Sequence, residues 1–467
     1  LGEGKLIKKS DQSKIEEIDR LYTHNKEALA EYNLKDCRLV TDIFSKTGLL
    51  ELSITRSRIS GMLLPDIGKS SASFDHFLLP LIHRKGFVAI NRNDVQKDTY
   101  NTGGYVFDPV IGIHEHVFYL DFRSLYPSII QTFKIDPYSH LMSYKYPLET
   151  PNGKLFSRTH HFLPKLILEL LEKRAKAKDH GNTYLSQSIK ILMNSFYGVM
   201  GSDVSRFFHP DLPDAITGTA KFILERTKAF LQIKGYKTLY GDTDSIFVQS
   251  HREVADWKVE ADQLVGSINQ FWEETIEREF QLTSYLQIEF ENYFVKVLFP
   301  KARNGEGGAK KRYAGLTLNQ QIKFTGMEVA RSDWSPLAKE FQKELYFKVF
   351  TNQPYEQYIQ EFVHCLKRGE YKDLLVYSKR IRKPLNSYQK NVPPHIKAAK
   401  LLQKRPRKIR YVITKRGPVP VELTHDDIDY EHYIKRQLEP IADTILMFVG
   451  TQFKTICNTQ LNLFSEL

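Results

Sequence analysis

Three aspartates have the type and setting to do chemistry: Asp121, Asp242 and Asp244. Asp121 follows the apolar run Val117 to Leu120 and precedes Phe-Arg-Ser-Leu-Tyr-Pro-Ser-Ile-Ile. An acid at the end of a buried strand is costly unless it is paired or metal-bound. Asp242 and Asp244 stand two apart in Gly-Asp-Thr-Asp, flanked by Leu239, Tyr240, Ile246, Phe247 and Val248. Acids this close repel, and a cation relieves the repulsion. Mg2+ fits, because it takes oxygen ligands and binds through one or two carboxylates plus substrate phosphates. Two such ions can clamp the attacking and leaving oxygens of an in-line displacement. Residue type alone leaves another reading standing. Asp-x-Asp is ordinary turn chemistry, and Asp121 is placed to cap a helix over Ser124 to Phe133.

Cations and amides that suit phosphate lie between these acids in sequence. Lys190, Asn194 and Tyr197 fall at i, i+4 and i+7, so they share one helix face. Arg174 and Lys178 fall at i, i+4 on the helix before it. Antiparallel packing would gather both sets around a triphosphate, with Arg as a bidentate donor and Lys as a point charge. An ordinary charged helix face explains any one of them equally well.

The elements that must position these residues are legible in outline. Lys14 to Leu49 has helical spacing until Gly48 stops it. Phe87 to Gly112 is rich in Gly, Asn and Asp, as loops and short strands are. Val117 to Leu120 suits a buried strand. Leu163 to Lys178 is an amphipathic helix with Leu163, Leu166, Ile167, Leu170 and Leu171 on one side. A turn at 179–182 follows, then a helix with Leu185, Ile189, Leu192, Met193 and Phe196 inward. The pair reads as an antiparallel helical hairpin. Lys237 to Val248 reads as a β-hairpin with the Gly241 to Asp244 segment at its tip. Residues 252–284 look helical, 286–299 return to strand, and 336–370 and 425–456 are mostly helical.

With 467 residues the chain is long enough for two to four domains. Its 41% apolar and 12% aromatic content is that of a globular protein. No apolar run approaches the roughly 20 residues that span a bilayer, and no signal peptide is visible. Cys37, Cys365 and Cys457 form no CxxC pair, which argues against a disulfide framework and for a reducing compartment. Net charge is +12, and the excess is local: Leu374 to Val421 holds 14 Lys or Arg and no acid. Tyr377, Tyr388, Ile396, Leu401, Leu402, Tyr411 and Val412 are interleaved there, so the stretch reads as a folded surface for a polyanion.

These residues carry a resemblance. Asp121-Phe-Arg-Ser-Leu-Tyr-Pro-Ser-Ile-Ile130 is similar to motif A of family B DNA polymerases. Lys190-Ile-Leu-Met-Asn-Ser-Phe-Tyr-Gly198 is similar to motif B, and Tyr240-Gly-Asp-Thr-Asp-Ser245 to motif C. Gly103-Gly104-Tyr105 resembles the glycine-tyrosine element between exonuclease and polymerase domains, and Lys310-Lys-Arg-Tyr313 the basic motif on primer-template. The stretches Arg382-Lys-Pro-Leu-Asn-Ser-Tyr-Gln-Lys-Asn-Val-Pro-Pro394 and Asp429-Tyr-Glu-His-Tyr433 bring it nearest to bacterial members. The motifs keep the family's order from about Tyr32 to the C-terminus.

The resemblance implies an α+β right-hand polymerase fold with an antiparallel-sheet palm, helical-hairpin fingers and a mostly helical thumb. The divisions it implies are an exonuclease remnant at 1–50, palm at 51–165 and 203–335, and fingers at 166–202. Thumb at 336–458 and a tail at 459–467 complete them. Its implied activity is template-directed addition of deoxynucleotides to a primer, with release of pyrophosphate. Asp121 and Asp244 would bridge two Mg2+ ions, for which Mn2+ can substitute, and Asp242 would assist. Tyr126 would exclude a ribose hydroxyl. The Leu125 backbone, Arg174, Lys178, Lys190, Asn194 and Tyr197 would hold the nucleotide. DNA would meet Gly103, Gly104, Tyr105, Gly198, Thr243, Lys310, Lys311, Arg312, Tyr313, Arg382, Lys383 and Tyr388. Glu289 is a weaker candidate for an auxiliary acid. Tyr32 and Asp36 resemble the last exonuclease motif. The family's earlier exonuclease acids are not in this sequence, so no 3′–5′ exonuclease activity is expected of it. The start at Leu1 rather than Met points to an upstream segment. Gln460, Leu461, Leu463 and Phe464 resemble a clamp-binding pentapeptide, implying a bacterial sliding clamp as partner. A cytoplasmic monomer at the bacterial nucleoid is expected.

Overall fold

The structure is a computed structural model. It describes residue 6 and residues 11–95, 103–250, 257–302, 305–389, 392–402, 406–423 and 427–457. The expected clamp-binding residues Gln460, Leu461, Leu463 and Phe464 lie outside the described residues. The chain divides into two compact units. The first comprises Leu1–Val106, Tyr119–Val248 and Ala255–Glu291; the second comprises Phe107–Phe118, Gln249–Val254 and Asn292–Leu467.

The first unit begins with four helices: α1 (Asp11–His24), α2 (Lys26–Thr47), α3 (Leu49–Ser60) and α4 (Ser70–His83). Asn25 caps α2 by accepting the Ala28 N–H at 3.0 Å. Gly48 ends α2 with φ 61°, and a Cβ there would overlap the Tyr184 hydroxyl. The left-handed conformation there favours glycine. Strand β1 (Gly112–Phe122) follows, entering this unit at Tyr119.

After β1 come α5 (Leu125–Thr132), α6 (Pro137–Leu141), the short strands β2 (Pro147–Glu149) and β3 (Leu155–Ser157), and then α7 (Leu163–Asp179) and α8 (Thr183–Met200). The expected helical hairpin is present. Gly181 takes φ 66°, and Asn182 caps α8 through the Leu185 N–H at 3.0 Å. Buried Ile167 and Leu170 of α7 and Ile189, Leu192 and Phe196 of α8 form its inner faces. Buried Asp136 joins two helix starts: it accepts Ser139 N–H at 2.5 Å on α6, and Phe162 and Leu163 N–H at 2.5 and 2.9 Å at α7.

The unit closes with α9 (Asp211–Ile233), β4 (Lys237–Asp242), β5 (Ser245–Gln249), α10 (Trp257–Phe280) and the start of β6 (Ile288–Phe299). Its strands run in the order β4-β5-β1-β6. Trp272 of α10 is fully buried and donates to Thr227 Oγ1 of α9 at 2.9 Å.

The second unit takes the first part of β1, the rest of β6, and β7 (Tyr313–Thr317) and β8 (Ile322–Thr325). β6, β7 and β8 pair antiparallel in that order, with a bulge between Phe294 and Lys296. Helices α11 (Pro336–Phe350) and α12 (Tyr355–Lys367) follow, then β9 (Tyr377–Arg380), α13 (Pro394–Lys400), β10 (Lys408–Thr414) and β11 (Gly417–Pro420). Helices α14 (Tyr430–Tyr433), α15 (Glu439–Leu446) and α16 (Phe453–Cys457) complete it. Its core centres on Phe341, Leu345, Tyr346, Tyr433, Ile441 and Ile445.

The region expected to be mostly helical contains an antiparallel sheet, β11-β10-β9. Its source is the acid-free basic stretch. Along β10, exposed Lys408 and Arg410 alternate with buried Ile409 and Tyr411, the period of a half-buried strand. Tyr377 stacks on Tyr411 at 5.2 Å and on Tyr433 at 5.7 Å. Among the described residues, no helix is long and apolar enough to cross a membrane.

Candidate active site

Asp121 is the penultimate residue of β1, so it is not a helix cap. The N-cap position of α5 falls to Ser124, at φ 51° and without a side-chain capping bond. Two backbone bonds fix what stands beside Asp121. Phe122 N–H donates to Asp244 O at 2.8 Å, and Arg123 N–H donates to Gln287 O at 2.8 Å. The first draws in the β4–β5 tip; the second draws in the segment leading to β6.

The hairpin tip is tightly held. Asp244 N–H donates to Asp242 O at 2.6 Å, and Thr243 between them takes φ 61°. A branched residue adopts the left-handed region only where its surroundings over-determine it. Here Thr243 N–H donates to Tyr105 O at 2.9 Å, and its hydroxyl donates to Asp242 Oδ1 at 2.9 Å. Val106 bridges Asp242. Gly104 packs so close that a Cβ would lie 2.6 Å from Thr243 Oγ1, whereas one on Gly103 would meet nothing within 4 Å. The Gly103-Gly104-Tyr105 segment thus buttresses the aspartate turn, and the Lys221 ammonium lies 5.2 Å above the Tyr105 ring.

A cavity of about 440 Å³ opens in this unit, lined by Asp121 and Asp244 on one side and by Arg174, Lys178, Lys190 and Asn194 of the helical hairpin on the other. Leu125, Tyr126, Tyr197 and Thr243 also line it. The Tyr126 and Tyr197 rings meet at 4.6 Å. Burial, then Tyr197 and the two hairpin aspartates, push the Tyr126 phenol up, so it stays protonated. Arg174 Nε is buried without a hydrogen-bond partner. Its guanidinium is held below its usual range by burial and by nearby Arg123, with Glu289 opposing.

Sequence reasoning missed two charged lining residues, Arg123 and Glu291, and underweighted a third, Glu289. Arg123 Nη1 lies 3.4 Å from Glu289 Oε1. Glu289 and Glu291 both line the cavity. Their i, i+2 spacing on one strand was the available signal, because it puts both on one face. Together with Asp244 they act on Asp121: burial first, then Asp244, Glu291 and Glu289, push its carboxyl up to about 7, while Lys190 opposes. Added positive charge beside Asp121 would favour its ionised form. An all-oxygen donor set of this kind fits a hard divalent cation.

The remaining expected residues lie elsewhere. Gly198 is exposed on α8 beside Tyr197. In the second unit Lys310 pairs with Asp108 at 3.0 Å, and Lys311 takes φ 59°. Tyr313 starts β7. Arg312 donates to buried Glu328 at 2.6 Å, and Gln342 donates to the same carboxylate at 2.8 Å, so Arg312 serves the core of that unit. Arg382 and Lys383 are exposed and Tyr388 is half-buried. Tyr32 is buried in α2, with Asp36 one turn on.

Residues 67–446 match the family model described as DNA polymerase family B. The chain is 43% identical to DNA polymerase II of Escherichia coli (strain K12), covering 99% of this chain and 62% of that protein. It is 28% identical to a DNA polymerase of Thermococcus gorgonarius, over 91% of this chain and 57% of the relative. Among solved structures, the family B DNA polymerase of Pyrobaculum calidifontis aligns at TM-score 0.63 and 25% identity, over 91% of this chain and 57% of that one. The chain thus spans about three fifths of the length of the relatives it matches.

Proposed function

Because the chain belongs to DNA polymerase family B, we propose that its cavity adds deoxynucleotides to the 3′ end of a primer on a DNA template. One observation carries this reading: acids, cations and a paired-tyrosine floor line a single 440 Å³ space. Attack of the primer 3′-oxygen on the α-phosphate forms the new phosphodiester bond and breaks the bond to pyrophosphate. Asp121 and Asp244, aided by Asp242, would hold two divalent ions, Mg2+ or Mn2+, with Glu289 and Glu291 close by. Bound there, such ions stabilise charge on the attacking and leaving oxygens. Arg174, Lys178 and Lys190 neutralise the triphosphate, and the partnerless Arg174 Nε is a donor in want of an acceptor. Asn194 supplies a neutral amide to the same phosphates. Tyr126, braced by Tyr197, blocks the space of a ribose 2′-hydroxyl.

In the two units, the helical hairpin α7–α8 takes the part of fingers, the β4-β5-β1-β6 sheet that of palm, and α11 to α16 with β9–β11 that of thumb. The exonuclease reading rests on Tyr32 and Asp36 alone, and we propose no second active site. The test is primer extension with deoxynucleotides and Mg2+. Asp244→Ala should slow extension by roughly 10²–10³ or more, the scale of losing one preorganised transition-state group. Retained extension in that variant would sink the site. In the same assay Tyr126→Ala should raise ribonucleotide incorporation; unchanged discrimination would remove Tyr126 from that role.

A further inference from the structure

A second cluster of ligating side chains sits in the first unit, apart from the carboxylate cavity. One ring nitrogen each of His140 and His209 and one carboxylate oxygen of Asp211 all lie within 4.8 Å of one another. Three separate stretches supply them. His140 is near the end of α6, His209 is in the turn before α9, and Asp211 is the first residue of α9. His140 Nε2 is 3.3 Å from Asp211 Oδ2, and His209 Nδ1 is 3.8 Å from the same oxygen. The two imidazole rings face each other at 4.3 Å.

We propose that His140, His209 and Asp211 bind a borderline transition ion of the Zn2+ class. In a tetrahedral site with bonds of about 2.0–2.1 Å, neighbouring ligand atoms sit roughly 3.3 Å apart. The His140–Asp211 separation already matches this, and His209, with its Nδ1 at 3.8 Å from the same carboxylate oxygen, would move inward to complete the set. In doing so, His209 Nδ1 gives up the Asp211 backbone N–H that it accepts at 3.3 Å.

The surroundings orient the carboxylate. Lys154 Nζ holds Asp211 Oδ1 at 2.6 Å and reaches Asp214 at 3.2 Å, which leaves Oδ2 directed at the histidines. Such outer partners are what fix a ligating carboxylate. A single carboxylate is a poor donor set for Mg2+ and Ca2+, which take several oxygen ligands, and Lys154 and the N-terminus of α9 oppose any cation, so the imidazoles must carry the binding. Imidazole ligands instead select Zn2+, Co2+ or Ni2+. His209 is about half exposed, so an ion has an open path in. With one carboxylate and two imidazoles, the cluster differs in kind from the all-oxygen cavity at Asp121. Its role would be structural: it ties α6 to α9, and α9 leads directly into the β4–β5 hairpin.

The competing description is a hydrogen-bonded polar cluster that takes no ion, and Co2+ separates the two. In a chain carrying Asp121→Asn and Asp244→Asn, which weakens cation binding at the carboxylate cavity, added Co2+ should give the intense visible absorption of a tetrahedral nitrogen–oxygen site. Excess Zn2+ should abolish the band and raise the melting temperature. His209→Gln, at a half-exposed position outside the core, should remove the band and lower bound Co2+ by one ion per chain. Asp211→Asn should do the same. His180→Gln, at an exposed histidine outside the cluster, should leave the band intact. Primer extension by His209→Gln in an otherwise unaltered chain should be unchanged. No band in the parent, or an undiminished band in His209→Gln, would overturn the site.

Discussion

Burial displaces several titratable side chains, and two of them make opposite demands on pH. Asp136 is fully buried, and burial pushes its carboxyl up to about 6 despite the N–H groups of Ser139, Phe162, Leu163 and Tyr138 that favour the anion. The native chain therefore holds a proton that the unfolded chain has released. Its contribution is fully present below about pH 4 and is lost as pH rises to about 6. His161 is displaced the other way. Burial, then Lys134 and Lys165, hold its imidazole down to about 4, and its Nδ1 is buried without a partner. Its contribution is present above about pH 6.5 and is lost as pH falls toward 4. Urea unfolding measured at several pH values reads both. Relative to the parent, stability of Asp136→Asn should tilt upward between about pH 4 and 6, and that of His161→Gln downward between about pH 4 and 6.5. Each tilt should be of order 1 kcal/mol. A pair of variants tilting the same way would contradict these assignments.

At the scale of elements, the β4–β5 tip and the segment before β1 form one device. Thr243 stays in its strained turn because Tyr105 O accepts its N–H and Gly104 lets the chain pass at close range. Gly104→Ala would place a methyl 2.6 Å from Thr243 Oγ1 and displace the aspartates from Asp121. A misplacement near 1 Å costs on the order of 10²-fold in rate, so single-nucleotide insertion by Gly104→Ala should lose roughly 10–100-fold. Most of that loss should fall in kcat rather than KM. Gly103→Ala, whose methyl meets open space, is the matched control. Equal effects of the two substitutions would show that the segment works through DNA alone. The helical hairpin is a second device of this kind. Its cap at Asn182 and its turn at Gly181 set the register that aligns Arg174 and Lys178 with Lys190 and Asn194.

At the scale of the molecule, the charge is divided between tasks. In the first unit Asp121, Asp244, Glu289 and Glu291 share the cavity with Arg174, Lys178 and Lys190. The second carries the acid-free stretch, in which Lys379, Arg380, Lys408 and Arg410 stand exposed on β9 and β10 beside the stacked Tyr377 and Tyr411, and Arg382 and Lys383 are exposed just after β9. If this surface holds DNA phosphates, affinity should fall linearly in log–log terms with salt. Replacing Arg382 and Lys383 by alanine should then lower the slope by about 1 for each phosphate that the two cations neutralise. A slope unchanged by the double substitution would exclude these two residues from the DNA interface.

Much of this was legible in the chain itself. Helical spacing located α7 and α8, and apolar runs located β1 and the β4–β5 hairpin, because burial imposes its period on sequence directly. The same runs exposed the three aspartates as acids in apolar settings. Three things were decided only in three dimensions. Whether Asp121 caps a helix or ends a strand depended on the Phe122–Asp244 and Arg123–Gln287 backbone bonds, which join residues more than a hundred positions apart. The acidity of the site depended on Glu289 and Glu291 arriving beside Asp121, a matter of strand order rather than local pattern. The partner of Arg312, a residue read as a DNA contact from its resemblance to the family's basic motif, also depended on the fold, which sets its guanidinium against buried Glu328. Local periodicity records which face of an element is buried. It does not record which charges meet there, because that depends on how distant segments pair.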